Sequence, residues 1–326
     1  MDYDYLRKQH ADTFLSFFKG KQYSIESPHN LISENDNTLL YINDTIAPWK
    51  NYLLTQIPEK GLCLKQPCLR LQGLRDTISL ENQLELKSER YIGYFTGLGI
   101  LAGPNKKKSV QEEILELLLQ KYEIPLSNIK IFAREDMKFL GSINNHLEVS
   151  LESNPEIYYD WQYGLDNIKG KGATLMLRQK DNSFKEIGQL IEIYNDEEIL
   201  GYEFGFGLET FTSRFLQDET FTSWPITKYV EEPHLRFKTL LDNYSCLAAM
   251  LSCDTSKFTE RHIQELNKNI RNIALLQEIF SLSSEYSYDV LNRFSLGEFN
   301  KESNLNLLKL IKEEEGSLWR FKNGIN

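Results

Sequence analysis

Between residues 126 and 206 the chain runs through five short stretches rich in β-branched and aromatic residues, at 129–133, 156–161, 173–178, 188–194 and 199–206. Clusters of Asn, Gly, Asp and Ser separate them. Such runs bounded by turn-formers read as strands, and several in series predict one mostly antiparallel sheet. After Pro233 the pattern changes. Apolar residues recur at helical spacing over 235–252, 258–281, 284–294 and 303–315. The fold class is therefore α+β, an antiparallel sheet flanked by helices and followed by an all-helical C-terminal domain, with domains expected at 1–232 and 233–326.

The N-terminal third supplies further elements. Apolar residues at Tyr5, Leu6, Phe14, Leu15, Phe17 and Phe18 predict a helix over 2–19, stopped near Gly20. Residues 37–54 read as a strand or extended segment followed by a helix containing Trp49. The stretches 62–71 and 91–101 read as two strands of one antiparallel pair. The polar segment joining them is far too long for a tight hairpin, and loops of that length in compact domains tend to be functional. The segment 109–122 predicts a helix with Ser109 as N-cap and acidic residues in its first turn.

Composition excludes several classes. The 326 residues are 41% hydrophobic and 26% charged, close to a globular average and enough for two domains. A formal charge of −10 argues against a chain that grips nucleic acid by bulk electrostatics, so DNA is not an expected partner. No run of about 18 apolar residues occurs and the charged start lacks a signal h-region, so no membrane association is expected. Cys63, Cys68, Cys246 and Cys253 lack the short double pairs of a zinc site, and the five histidines show no metal-ligand spacing. Reduced thiols, a cytoplasmic location and no protein-held metal are expected. The Lys106–Lys108 run reads as a solvated helix entry, and Tyr158, Tyr159 and Trp161 as strand core.

Several segments, in order along the chain, resemble the class II aminoacyl-tRNA synthetases, and specifically the alanyl-tRNA synthetases. Asn35, Asp36, Thr38, Leu39, Leu40 and Asn43 fall on the family's N-D-P-T-L-L-F-T-N pattern, with Asn37 replacing its proline. KQPCLRLQG at 65–73 is similar to Q-R-C-V-R-A-G-G of motif 2, and YFTGLG at 94–99 to F-F-E-M-L-G. PEIYYD at 155–160, LIEIYN at 190–195 and GFGLET at 205–210 are similar to T-E-I-F-Y-D, Y-I-E-I-W-N and the motif 3 pattern G-M-G-L-E-R. The helical part from Leu235 through Asp242 and Cys246 resembles the start of the family's tRNA-recognition region.

The resemblance implies a catalytic core using ATP and Mg²⁺ to activate a small amino acid, with transfer to tRNA, a carrier or a small-molecule acceptor. Activation brings a carboxylate against a phosphate, so the charge building there needs a fixed cation. Arginine's fork binds carboxylate and phosphate oxygens together, and Arg70 holds the motif 2 position. The resemblance also assigns Arg75, Phe95, Gly205 and Gly207 to ATP, and Glu203 and Asn195 to the amino acid. Glu203 stands where the family has the Asp that takes the substrate's ammonium group. Thr210 replaces the motif 3 arginine that lies over adenine, and Arg214, one turn later on the same face, is the substitute expected for ATP. Thr96 and Gly97 replace the family's Glu and Met, and SLESN at 150–154 replaces a glycine- and cysteine-rich loop. The arginine-rich helix is interrupted by acidic groups at 261–273, and the length to Asn326 leaves no room for an editing domain. These departures imply an altered acyl pocket, or else a non-catalytic paralogue that binds RNA, a nucleotide or a protein.

Overall fold

The computed structural model describes residues 2–33, 38–71, 92–133, 148–150, 160–218, 220–231, 233–302, 309–314 and 316. Arg75, Asn35 to Asn37, residues 156–159 of the strand expected at 156–161 and 303–308 of the last expected helix lie outside the described residues. The strands are β1 (Ser24–Glu26), β2 (Leu62–Leu69), β3 (Tyr94–Ala102), β4 (Ile129–Phe132), β5 (Glu148–Ser150), β6 (Asp160–Gln162), β7 (Lys169–Arg178), β8 (Phe184–Tyr194) and β9 (Ile199–Gly207). The helices are α1 (Tyr3–Gly20), α2 (Lys50–Leu54), α3 (Lys107–Glu116), α4 (Leu208–Leu216), α5 (Lys238–Ser252), α6 (Glu260–Phe280) and α7 (Ser284–Phe299).

All nine described strands join one sheet in the order β1-β2-β3-β9-β8-β7-β4-β5, with β6 also on β7. The pairs β3/β9, β9/β8, β8/β7, β7/β4 and β7/β6 are antiparallel, while β1/β2 and β4/β5 are parallel. This is the sheet-plus-helices α+β architecture that the segment pattern implies.

One expectation is corrected. Ser109 is not an N-cap: α3 begins at Lys107, its first turn holds no acidic residue, and Ser109 Oγ donates to the Lys106 carbonyl at 3.0 Å. Pro104, at the start of a 3₁₀ turn over Pro104–Lys106, seeds the helix earlier, because its fixed φ suits a helix start and its missing N–H costs nothing there. Residues 38–46 form no strand. They lead into a 3₁₀ turn at Ala47–Trp49 and the short α2.

The chain divides into two compact units that interleave in sequence: 1–29, 43–67 and 96–223 in the first, 30–42, 68–95 and 224–326 in the second. In the first unit, Phe14, Phe17 and Phe18 of α1 and Val110 and Ile114 of α3 pack on one face of the sheet with Leu98, Leu175, Leu190, Tyr202, Phe204 and Phe211. A smaller cluster of Ile46, Trp49, Leu53, Leu62, Leu101, Tyr163, Ile191 and Ile193 covers the opposite face. The second unit is built on α5, which is buried continuously from Thr239 to Met250 and packs against α6 and α7. α5 is buried on every side, and Ile270, Ile273 and Leu276 of α6 and Val290, Leu291 and Phe294 of α7 are buried with it.

Candidate functional site

Period-two alternation decides which side chains share a face of the first unit's sheet. Tyr202, Phe204 and Phe206 of β9 enter the cluster beneath α1 and α3. Gly201, Glu203, Gly205 and Gly207 therefore face the opposite side. Glu203 is in register with Leu101 on β3 and Ile191 on β8, both members of the smaller cluster. It is only 7% exposed. Tyr163 donates its hydroxyl to Glu203 Oε2 at 3.2 Å. Burial raises the Tyr163 pKa well above its ordinary value, and the charges of Glu203 and Asp44 add to this, so the hydroxyl remains a donor. Asp44 lies on the segment crossing this face, where its Oδ1 accepts the Ala47 N–H at 2.8 Å.

Beside Glu203 the strands carry glycines in place of side chains. Gly97 pairs with Gly207 and Gly99 with Gly205, two cross-strand glycine pairs on the face that carries the carboxylate. Thr45 packs directly on the inner pair: a Cβ at Gly99 would stand 2.4 Å from Thr45 Oγ1, and one at Gly205 3.1 Å from it. Along β9 this strip extends about 13 Å from Glu203 to Gly207, and Thr45 covers its middle. At its end the Glu209 carboxylate, fully buried, accepts the Thr96 N–H at 2.9 Å and lies 3.7 Å from Arg7 Nη1. That contact fixes how β9 turns into α4.

Within the second unit, Arg70 follows β2. Its guanidinium lies over the Phe95 ring, 4.7 Å from the centroid, a cation–π arrangement that orients the fork. Its backbone N–H donates to the Gly93 carbonyl at 2.7 Å. Gly93 in turn donates to Asp242 Oδ1 of α5 at 2.8 Å. Burial pushes the Asp242 carboxyl up to about 7, opposed by N–H donation from Gly93 and Tyr94 and by the charge of Lys238.

Residues 10–82 match the class II (A) tRNA synthetases. The alanine–tRNA ligase of Alkaliphilus metalliredigens (strain QYMF) is 34% identical over 179 residues, 54% of this chain and 17% of that protein. That of Clostridioides difficile (strain 630) is 37% identical over 59 residues, 18% of this chain and 7% of that protein.

Over these spans the chain is similar to the alanyl class II tRNA synthetases.

It spans under a fifth of the length of these relatives. Solved structures similar to it include apo histidyl-tRNA synthetase of S. aureus, with TM-score 0.41, 12% identity, and coverage of 65% of this chain and 70% of that one. Another is the RNA-binding domain of threonyl-tRNA synthetase from Cryptosporidium parvum Iowa II, with TM-score 0.38, 7% identity, and coverage of 67% and 68%.

Of the residues that the synthetase-like motifs single out, Glu203, Gly205 and Gly207 share one sheet face, and Arg70 meets Phe95. Asn195 does not join Glu203. It lies in the turn joining β8 and β9, where its Oδ1 accepts the N–H groups of Glu197 and Glu198 at 2.9 and 2.7 Å. Glu203 pairs with Ile191, four residues back along β8, about 13 Å away. Arg214 is buried in the last turn of α4, whose Leu208 and Phe211 belong to the cluster on the face opposite Glu203. Tyr163, Thr45 and Glu209 form part of the site without having been singled out by sequence. Tyr163 reaches Glu203 only because β6 folds back on β7, and no local signal marks that contact. Glu209, inside the motif 3 match, could have been found there.

Among the described residues no group of three His, Cys, Asp or Glu side chains could hold a metal ion, and no helix is long and apolar enough to cross a membrane. The four cysteines are free thiols.

Proposed function

We propose that this chain activates a small amino acid with ATP. The substrate carboxylate attacks the α-phosphorus, a carboxyl O–P bond forms, and the α–β phosphoanhydride breaks to release pyrophosphate. The acyl group then passes from the adenylate to an acceptor, a tRNA or a carrier or small molecule. The observation that carries this reading is Glu203, a carboxylate nearly excluded from water on a glycine-bare sheet face. Tyr163 already donates to this carboxylate, and a substrate ammonium would add a charged partner to it. Compared with the family's Asp, Glu places its charge roughly one C–C bond (~1.5 Å) further out, which favours a substrate other than alanine.

Arg70, oriented by Phe95, is the proposed cation for the α-phosphate and substrate carboxylate. Class II synthetases generally use ATP with Mg²⁺, and here the ion would enter with the nucleotide, held mainly by phosphate oxygens. A cytoplasmic location fits the free thiols.

ATP–pyrophosphate exchange screened over small and polar amino acids tests the proposal. Exchange should appear with at least one of them, and Glu203→Gln should raise its KM at least about tenfold by removing a charged partner. Absence of exchange with every amino acid at high protein concentration refutes it.

A second reading rests on Thr210, which lacks the planar cation of the motif 3 arginine. Under it the chain is a non-catalytic paralogue. Calorimetry separates the two: Mg·ATP binding lost in Arg70→Ala supports the enzyme, and RNA or protein binding without ATP binding supports the paralogue.

A further inference from the structure

The second unit couples Arg70 to a buried carboxylate that the synthetase motifs leave without a role. Gly93 lies between them. Its carbonyl accepts from the Arg70 N–H at 2.7 Å, and its N–H donates to Asp242 Oδ1 at 2.8 Å. The approach of α5 to this peptide requires glycine: a Cβ at residue 93 would stand 2.3 Å from Cys246 Sγ and 3.0 Å from Asp242 Oδ1. One carboxyl thus holds the peptide N–H of Gly93, two residues before the ring that carries the Arg70 guanidinium.

We propose that Asp242 is a positioning residue for Arg70, acting through the Gly93 peptide to set where the guanidinium is presented against Phe95. The proposal deepens the reading of Arg70 as the anion-binding cation and rests on it. The charged and titratable groups facing Asp242 are Lys238, one turn before it on α5, and Cys246, one turn after it with Sγ at 4.0 Å. Burial keeps the Cys246 thiol protonated, its pKa raised well above the ordinary value. Lys238 is therefore the only formal charge among these two neighbours. Asp242 itself changes charge with a midpoint near 7. Ionisation strengthens its pull on the Gly93 N–H, and through the Gly93 carbonyl that pull is transmitted to Arg70.

The test uses the full chain and an NMR readout of the Arg70 Nε–Hε group, assigned by its loss in Arg70→Lys. The Phe95 ring beneath the guanidinium should shift this resonance upfield. In the wild type the resonance should titrate with a midpoint near 7, and in Asp242→Asn, which retains an acceptor, it should remain shifted but no longer titrate. In exchange assays Asp242→Ala should lose at least about tenfold in kcat, with the amino-acid KM within about threefold, and Asp242→Asn should recover most of the loss. A flat Arg70 resonance in the wild type, or a titration unchanged in Asp242→Asn, overturns the positioning role even if Asp242→Ala fails to fold. If the wild type shows the titration but no exchange with any amino acid, the enzymatic reading falls and the coupling of Asp242 to Arg70 stands.

Discussion

Acidification should destabilise the first unit through His10. The imidazole is 5% exposed, its Nδ1 lies 3.0 Å from Thr212 Oγ1, and the rings of Tyr122, Phe211 and Phe215 meet it edge-on. Burial among these rings pulls its pKa from 6.5 down to about 4. An unfolded chain takes up the proton below 6.5 while the folded one does not, so stability present above 6.5 is lost as pH falls toward 4. At 1.36 kcal/mol per pKa unit the full loss is about 3 kcal/mol, of which about 2 kcal/mol has been felt by about pH 5. His10→Phe keeps a ring in the packing and removes the titrating nitrogen, at a cost of about 1 kcal/mol for the Thr212 hydrogen bond. Urea unfolding followed by tryptophan fluorescence, with Trp49 fully buried in this unit, should show the variant less stable at neutral pH. The gap should close or reverse by about pH 5. Stability curves for the two proteins that stay parallel across that range would refute the argument, because every other titrating group is common to both.

Gly172→Ala would bring a Cβ to 2.4 Å from Trp161 Cζ3 and 2.6 Å from its Cη2, so the ring must move. A loss of about 1–3 kcal/mol with a changed tryptophan emission is expected in urea unfolding. Glu209→Ala strips the acceptor from the Thr96 N–H and the carboxylate from beside Arg7, both in buried surroundings. It should cost about 3 kcal/mol in the same assay, and Glu209→Gln, which retains one acceptor, less. Thr210→Arg restores the family's motif 3 cation and should tighten Mg·ATP about ten- to a hundredfold by calorimetry, whereas an unchanged Kd would count against ATP as a ligand.

What the sequence determined is mainly local. Periodicity located α1, the strands from β7 to β9, the passage from β9 into α4 and the helices from α5 to α7, because side-chain burial repeats with the backbone's own geometry. Motif likeness marked Glu203, Gly205, Gly207, Arg70 and Phe95. Alternation along β9 puts the carboxylate and the glycines on one face once the strand's inward residues are known. It could not reveal which residues cover that face. Thr45 comes from a segment about 160 residues earlier in the chain, and Tyr163 arrives through a strand pairing, so only tertiary folding brings them to Glu203. For Ser109 a local capping rule lost to Pro104, whose fixed backbone began the helix sooner. For Asn195 the position matched a motif, but the turn claimed its amide oxygen. Asp242 shows the division most plainly. Its place on a helix was legible, whereas its grip on the Gly93 peptide depends on α5 approaching within van der Waals reach of a residue 149 positions away, a consequence of packing alone.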